Sequence, residues 1–228
     1  FYVTATDDQR NLLAQQFQKY MGISPKIVTI PVGSIDELKY PEGKRKSHSL
    51  ITASRLADEK HVDWLIEAVA GAKNEIPDIT LDIYGKGGEE SHLQRRIKEL
   101  GAQEYIHLCG QQDLTEVYQN YEAYVSASQS EGFGLTLLEA IAAGLPIIGF
   151  DAGYGNQNFI DSEENGYKIP VDDHMDSKSK IHALEKCMIR LFTEADLEAF
   201  HTHSYQKAEK YLTREVEHLW ADTINQII

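Results

Sequence analysis

The chain has 228 residues, of which 42% are apolar and 25% charged; this allows a sizeable core and excludes a disordered or fibrous chain. No run of about 18 apolar residues occurs, so a transmembrane segment is not expected and the protein reads as cytoplasmic. The net charge of −14 argues against nucleic acid as a partner, because lysine and arginine would have to neutralise the phosphates, and any anion must be held by a local positive site.

The chain opens on a strand already under way, FYVTAT (1–6), with no initiator methionine, and reads as a piece of a longer protein. A helix, QRNLLAQQFQKY, and a second short strand, KIVTIPV, follow. A polar, lysine-rich stretch over 39–48 is the linker candidate. From Leu50 onward, short β-branched and aromatic runs alternate with segments of helical period, the pattern that yields a parallel sheet covered on both faces. LITAS (50–54), TLDIYG (80–85), IHLCG (106–110), AYVSAS (123–128), PIIGFD (146–151) and YKIPV (167–171) are the expected strands. Between them lie VDWLIEAVAGAK (62–73), HLQRRIKELG (92–101) with Gly101 as its C-terminal cap, LTEVYQNY (114–121) and LTLLEAIAAG (135–144). From Lys178 the period is helical throughout, and Val216, Leu219, Trp220, Thr223 and Ile227 are expected on one face that needs a partner. The expected class is therefore α/β, a doubly wound parallel sheet of Rossmann type.

The chemistry concentrates in SEGFGLTLLEAIAAGLP (130–146). A strand gives way to a glycine-containing loop and then a helix, whose first free N–H groups point over the sheet edge and form an anion site. Gly132 and Gly134 let the backbone approach a ligand, while Glu131 lies in the loop and Glu139 about one turn inside the helix. Two carboxylates beside a phosphate site face hydroxyls rather than phosphates, and a nucleotide sugar offers hydroxyls at both ends. The bland alternative is a solvated loop glutamate and a helix glutamate near an N-terminus for dipole reasons. In SRLADEKHVDWLIEAV (54–69), Arg55 and Lys60 occupy another loop at a strand's carboxyl end, where ligands bind in open α/β sheets. A forked guanidinium and an ammonium could neutralise a diphosphate.

Together these segments resemble the family-4 retaining glycosyltransferases of the two-domain GT-B fold, with their E-x7-E loop. Glu131 and Glu139 match that spacing, and AIAAGLPII follows. SRL…EK, YGKGGE (84–89), IHLCG, IPVGSID (30–36) and NGYKIP extend the resemblance over most of the chain. It implies a UDP-sugar as substrate and no metal cofactor. Arg55 and Lys60 would bind the diphosphate with the N–H groups of Gly134, Leu135 and Thr136. Glu139 would accept from the ribose hydroxyls, and Glu131 would hold a sugar hydroxyl. Gly85, Lys86, His107 and Leu108 would line the base pocket through backbone contacts. The resemblance also implies a division into 1–38, a segment tied to an N-terminal half; 39–205, the nucleotide-sugar domain; and 206–228, a helix packing back on that half. The acceptor site belongs to the half that is absent here, so this piece alone is expected to be inactive. The wording of 149–169, GFDAGYGNQNFIDSEENGYKI, is most similar to enzymes of Gram-positive bacteria that transfer GlcNAc or glucose. Their acceptors are serine-rich repeat adhesins, with a noncatalytic partner subunit, or the cell-wall polymer teichoic acid, and they act in the cytoplasm or at the inner face of the membrane.

Other signals are weaker. GKGGEE (85–90) lacks the third glycine of a dinucleotide fingerprint. Cys109 and Cys187 have no metal spacing and read as reduced core residues. His201 and His203 would point to different faces of a helix and read as solvated. The rival classes are a noncatalytic partner module of the same scaffold, which could lose the four charged positions present here, and a sugar-nucleotide epimerase.

Overall fold

The computed structural model describes residues 1–172 and 174–226. Its first unit is small. Strand β1 (Tyr2–Thr4) pairs in parallel with β2 (Ile27–Thr29) across helix α1 (Asp7–Met21), which starts where the Thr6 hydroxyl accepts the Gln9 N–H. None of the α1 side chains is buried.

The remainder is a six-stranded, wholly parallel sheet of β3 (Ser49–Ala53), β4 (Thr80–Tyr84), β5 (Ile106–Gly110), β6 (Ala123–Val125), β7 (Ile147–Phe150) and β8 (Gly166–Ile169), in the spatial order β5-β4-β3-β6-β7-β8. Alternate residues of each strand face opposite layers. Leu50, Leu81, Ile83, Val125 and Ile148 pack against α2 (Val62–Ala72), α3 (Glu90–Glu99) and α6 (Ser177–Thr193). Ile51, Tyr84, Tyr124 and Ile147 pack on the other side against α4 (Leu135–Ala142), Phe159 of the short α5 (Gly155–Phe159) and Ala208 of α7 (Leu197–Glu209). The sheet is doubly wound, as the alternation of elements implies. The winding reverses between the neighbouring strands β3 and β6, so the crevice that an open α/β sheet offers to ligands lies over their carboxyl ends.

The tail, helical in period throughout, divides into three helices: α6 stops at Thr193, the Asp196 carboxylate caps α7 by accepting the Ala199 N–H, and α8 (Thr213–Asn225) starts anew against the 33–36 loop. Helical period persists through both breaks because every segment is amphipathic. Three expectations need correction. Segment 114–121 forms only a single 3-10 turn at Tyr118–Asn120. His201 is not solvated: it is buried, with Nδ1 2.6 Å from the Gly144 carbonyl. The face expected on α8 is divided, with Val216 and Thr223 buried and Leu219 and Trp220 exposed; Ile227 lies outside the described residues.

Segment 39–48 has no regular structure yet is firmly held. The Arg45 guanidinium donates to the carbonyls of Gln119, Tyr121 and Ala143 at 2.7–2.9 Å, which ties it to the amino ends of β6 and β7.

Candidate functional site

Strand β3 ends at Ala53, and its chain continues as a loop laid against the end of β4: Ser54 N–H donates to Tyr84 O and Leu56 N–H to Lys86 O. This close approach requires Gly85. Its φ is +137°, and a Cβ there would lie 1.8 Å from Ser54 O. A 3-10 turn, Asp58–Lys60, then returns the chain to α2 and carries Lys60 inward. Its ammonium reaches the end of β6, 3.3 Å from Ser128 Oγ and 2.5 Å from Glu131 Oε1. Both partners are largely enclosed, 18% and 19% exposed.

Glu131 is fixed from below by backbone pairing with Tyr154, its carbonyl accepting the Gly155 N–H. Gly134, with φ +88°, turns the chain into α4. The first intrahelical bond runs from Leu137 N–H to Gly134 O, so the amides of Leu135 and Thr136 precede the helical ladder and carry its positive end. The buried Tyr124 hydroxyl stitches this helix start to β3: it donates to Ala53 O at 2.9 Å, accepts the Ala53 N–H and lies 3.1 Å from Thr136 Oγ1. Burial pushes that phenol up to about 12, so it remains a neutral donor.

Glu139 lies one turn further along α4. Its side chain is open to a cavity by surface area, yet the surrounding walls desolvate the carboxylate. Burial pushes its pKa up, the Tyr118 hydroxyl bonded to Oε2 at 3.0 Å draws it down, and the Asp113 charge pushes it up.

These groups line one continuous trough. A depression of about 350 Å³ holds Val32, Arg55, Lys60, Glu131, Phe133, Gly134, Leu135 and Thr136. It shares Ala53, Ser54, Arg55 and Thr136 with a cavity of about 620 Å³ that holds Tyr84, Gly85, Lys86, Gln111, Gln112, Tyr118 and Glu139. Nine of the eleven residues that the resemblance assigns to the donor thus meet over the β3–β6 crevice. His107 and Leu108 do not. Both lie within β5, which runs on to Gly110, so the chain first enters the cavity at Gln111 and Gln112. The His107 side chain turns instead to Asp82, 2.7 Å away. Arg55 lines both parts of the trough but is exposed, its guanidinium resting on Glu59 at 2.5 Å. Tyr118, Tyr124 and Ser128 carried no signal in the sequence, since each works by contact with a residue distant in the chain.

The family model for the group 1 glycosyl transferases, "Glycosyl transferases group 1", matches residues 34–194. The chain belongs to this family. The matched span holds every residue of the trough except Val32. Among relatives, the chain is similar to the GtfA subunit of the UDP-N-acetylglucosamine–peptide N-acetylglucosaminyltransferase of Streptococcus gordonii, 52% identical over 227 residues that make up 100% of this chain and 45% of that protein. Among solved structures it matches the pneumococcal O-GlcNAc transferase GtfA in complex with UDP and GlcNAc, at a TM-score of 0.93 and 49% identity over 99% of this chain and 45% of that one. It also matches the GtfA/B complex, at a TM-score of 0.95 and 51% identity over 99% of this chain and 45% of that chain. The chain therefore spans slightly less than half the length of these three proteins, and its sheet is the doubly wound half of a GT-B glycosyltransferase. No described helix of this group 1 glycosyl transferase is long and apolar enough to cross a membrane.

Proposed function

We propose that this chain is the donor-binding half of a retaining glycosyltransferase that moves GlcNAc from UDP-GlcNAc to serine or threonine hydroxyls of a serine-rich repeat adhesin. The observation that carries the reading is the spacing of unlike charges along one trough: Lys60 with Glu131 at one end, Arg55 and the start of α4 in the middle, Glu139 at the other. A sugar diphosphonucleotide has the matching order of groups, hydroxyls at each end and two phosphates between. Glu131 would accept from the sugar, Glu139 from the ribose, and Gly85, Lys86, Gln111 and Gln112 would enclose the base.

Departure of UDP builds negative charge on the diphosphate. The Leu135 and Thr136 amides are fixed in place before that charge appears, so they lower the barrier without reorganising, while Arg55 and Lys60 would turn from Glu59 and Glu131 to the phosphates. The reading assigns this task to cations of the protein and helix amides rather than to a metal, and no strong nucleophile stands among the described residues of the trough. Retention of configuration rests on the family resemblance. A peptide acceptor, rather than teichoic acid, is supported by the name of the S. gordonii relative, and a second, noncatalytic subunit by the GtfA/B complex. The acceptor would be met by the remaining part of a longer protein, in the cytoplasm.

Calorimetric titration with UDP, UDP-GlcNAc, UDP-glucose and ADP tests the reading. Binding of the UDP species, weakened by both Glu139→Ala and Arg55→Ala, is the expected result; a folded wild-type chain that binds none of these nucleotides would sink the assignment.

A further inference from the structure

Four tyrosines, Tyr84, Tyr118, Tyr121 and Tyr124, are buried in one core layer beneath the trough. Each hydroxyl has a defined partner. Tyr124 is bonded to Ala53, and Tyr121 donates to Asp82 Oδ2 at 2.6 Å, which leaves Tyr84 as the donor to Tyr121 at 3.0 Å. Those bonds stay within the walls. The Tyr118 hydroxyl alone among the four ends on a carboxylate that opens into the trough, Oε2 of Glu139.

The position of Glu139 makes this contact consequential. It stands between the 620 Å³ cavity and a second one of about 330 Å³ on the side of the 33–36 loop, lined by Ser34, Asp36, Lys39 and Thr115. A glutamate has three rotatable bonds, and nothing in the helix itself decides which cavity the carboxylate enters. Tyr118 can decide it because its own ring cannot move. The ring is 2% exposed, packs against Tyr124, and sits on a turn held by Arg45 through the carbonyls of Gln119 within it and Tyr121 just after it.

We propose that Tyr118 is a positioning residue for nucleotide binding: its phenol donates to one oxygen of Glu139 and so presents the other to the ribose hydroxyls of a nucleoside diphosphate. The proposal rests on the donor-site reading above and adds to it a residue that makes no ribose contact. A bond to a charged acceptor is directional and costs little to keep formed once the donor is rigid. Without it the carboxylate would be held only by solvent and by charges around it. Asp113 repels it; of the other charged groups, Asp36, Glu37 and Lys39 line the smaller cavity, where Lys39 is already engaged by Glu37 and Glu116, and Arg55 and Lys86 line the larger one.

Tyr118→Phe keeps the ring and removes the bond. UDP-GlcNAc is the probe for the pH profile, because its phosphates carry no group that titrates between about pH 4 and 8, unlike the terminal phosphate of UDP with its second pKa of about 6. The expected result is a roughly tenfold loss of affinity at neutral pH, the loss of one bond to a charged group. The acid limb of the binding curve should move to higher pH, since Glu139 loses a group that favours its ionised form. The preference for UDP over 2′-deoxy-UDP should shrink toward one. A variant that melts earlier but keeps the wild-type acid limb and ribose preference overturns the proposal.

Carbon NMR titration of the Glu139 carboxyl in the ligand-free wild type and variant separates the two readings. If no UDP species binds the wild type, the donor reading fails and takes the ribose role with it. If UDP binds but the carboxyl titrates identically in both proteins, the inference about Tyr118 alone fails. Should the phenylalanine variant not fold, 3-fluorotyrosine at position 118, a more acidic donor, should move the acid limb to lower pH; no movement would refute the proposal.

Discussion

At the scale of single residues, Lys60 and Glu131 satisfy each other at 2.5 Å while both are largely enclosed. A diphosphate that takes Lys60 must therefore loosen this pair, and a sugar hydroxyl that donates to Glu131 compensates for the loss. UDP and UDP-GlcNAc should consequently respond differently to one substitution. In Glu131→Gln, Lys60 loses its carboxylate partner and UDP should bind as well as to the wild type or better. UDP-GlcNAc should lose about tenfold, because an amide oxygen is a weaker acceptor than a carboxylate. The ratio of the two calorimetric affinities is the measurement, and an unchanged ratio would remove Glu131 from the sugar end. Tyr124→Phe probes the wall instead. It leaves the Ala53 N–H without its hydroxyl partner in a buried place, so a loss of about 1–2 kcal/mol in denaturant unfolding is expected. The charged residues of the trough were legible in the sequence because a carboxylate or cation in a glycine-containing loop at a strand's carboxyl end announces its chemistry. Tyr118 and Tyr124 were not, because a buried tyrosine reads as packing until the acceptor of its hydroxyl is known.

Among the elements, what sequence pattern resolved well was local: strand, loop and helix in succession over 49–69 and 123–142. Boundaries failed where two amphipathic helices meet. Nothing in hydrophobic period separates α6 from α7, and the break comes from Asp196, whose carboxylate accepts the Ala199 N–H at 3.1 Å. Asp196→Ala should accordingly cost about 1 kcal/mol, as loss of an N-cap does. Gly85 makes a sharper case. Alanine there would combine a positive φ with a Cβ 1.8 Å from a backbone oxygen, on the turn that joins the β3 and β4 loops. A loss of roughly 2–4 kcal/mol is expected for Gly85→Ala, together with loss of UDP binding, since strain at such a position alone is worth about 1–3 kcal/mol. Thermal unfolding and nucleotide titration of the same sample would check both. A variant as stable as the wild type would mean that the two loops can part.

For the whole molecule, charge and pH act through opposing groups. His201 is buried between α7 and the end of α4, with Nδ1 donating to Gly144 O, so the neutral ring is the form that fits. Burial lowers its pKa, the nearby Arg45 lowers it further, and the Gly144 bond and Glu198 oppose them. A histidine whose folded pKa lies below its unfolded value binds fewer protons in the folded state. Its contribution to stability is full above about pH 6.5 and is lost as pH falls toward the depressed folded value, with a slope of at most about 1.4 kcal/mol per pH unit. Glu139 and Glu122, both pushed up by burial, have the reverse sign: each costs stability as pH rises from its unfolded value through the raised folded one. Protonation of carboxylates also relieves the self-repulsion of a chain with net charge −14. These terms overlap below about pH 6.5, so a wild-type curve alone cannot assign the acid-side loss to one group. Comparison with His201→Gln can. Glutamine can still donate to Gly144 O but does not titrate, so the variant should lose less stability than the wild type between about pH 6.5 and 5 while the carboxylate terms stay common to both. Chemical denaturation at several pH values measures the difference. Parallel curves would show that the 39–48 segment and α7 yield enough for the imidazolium to reach water.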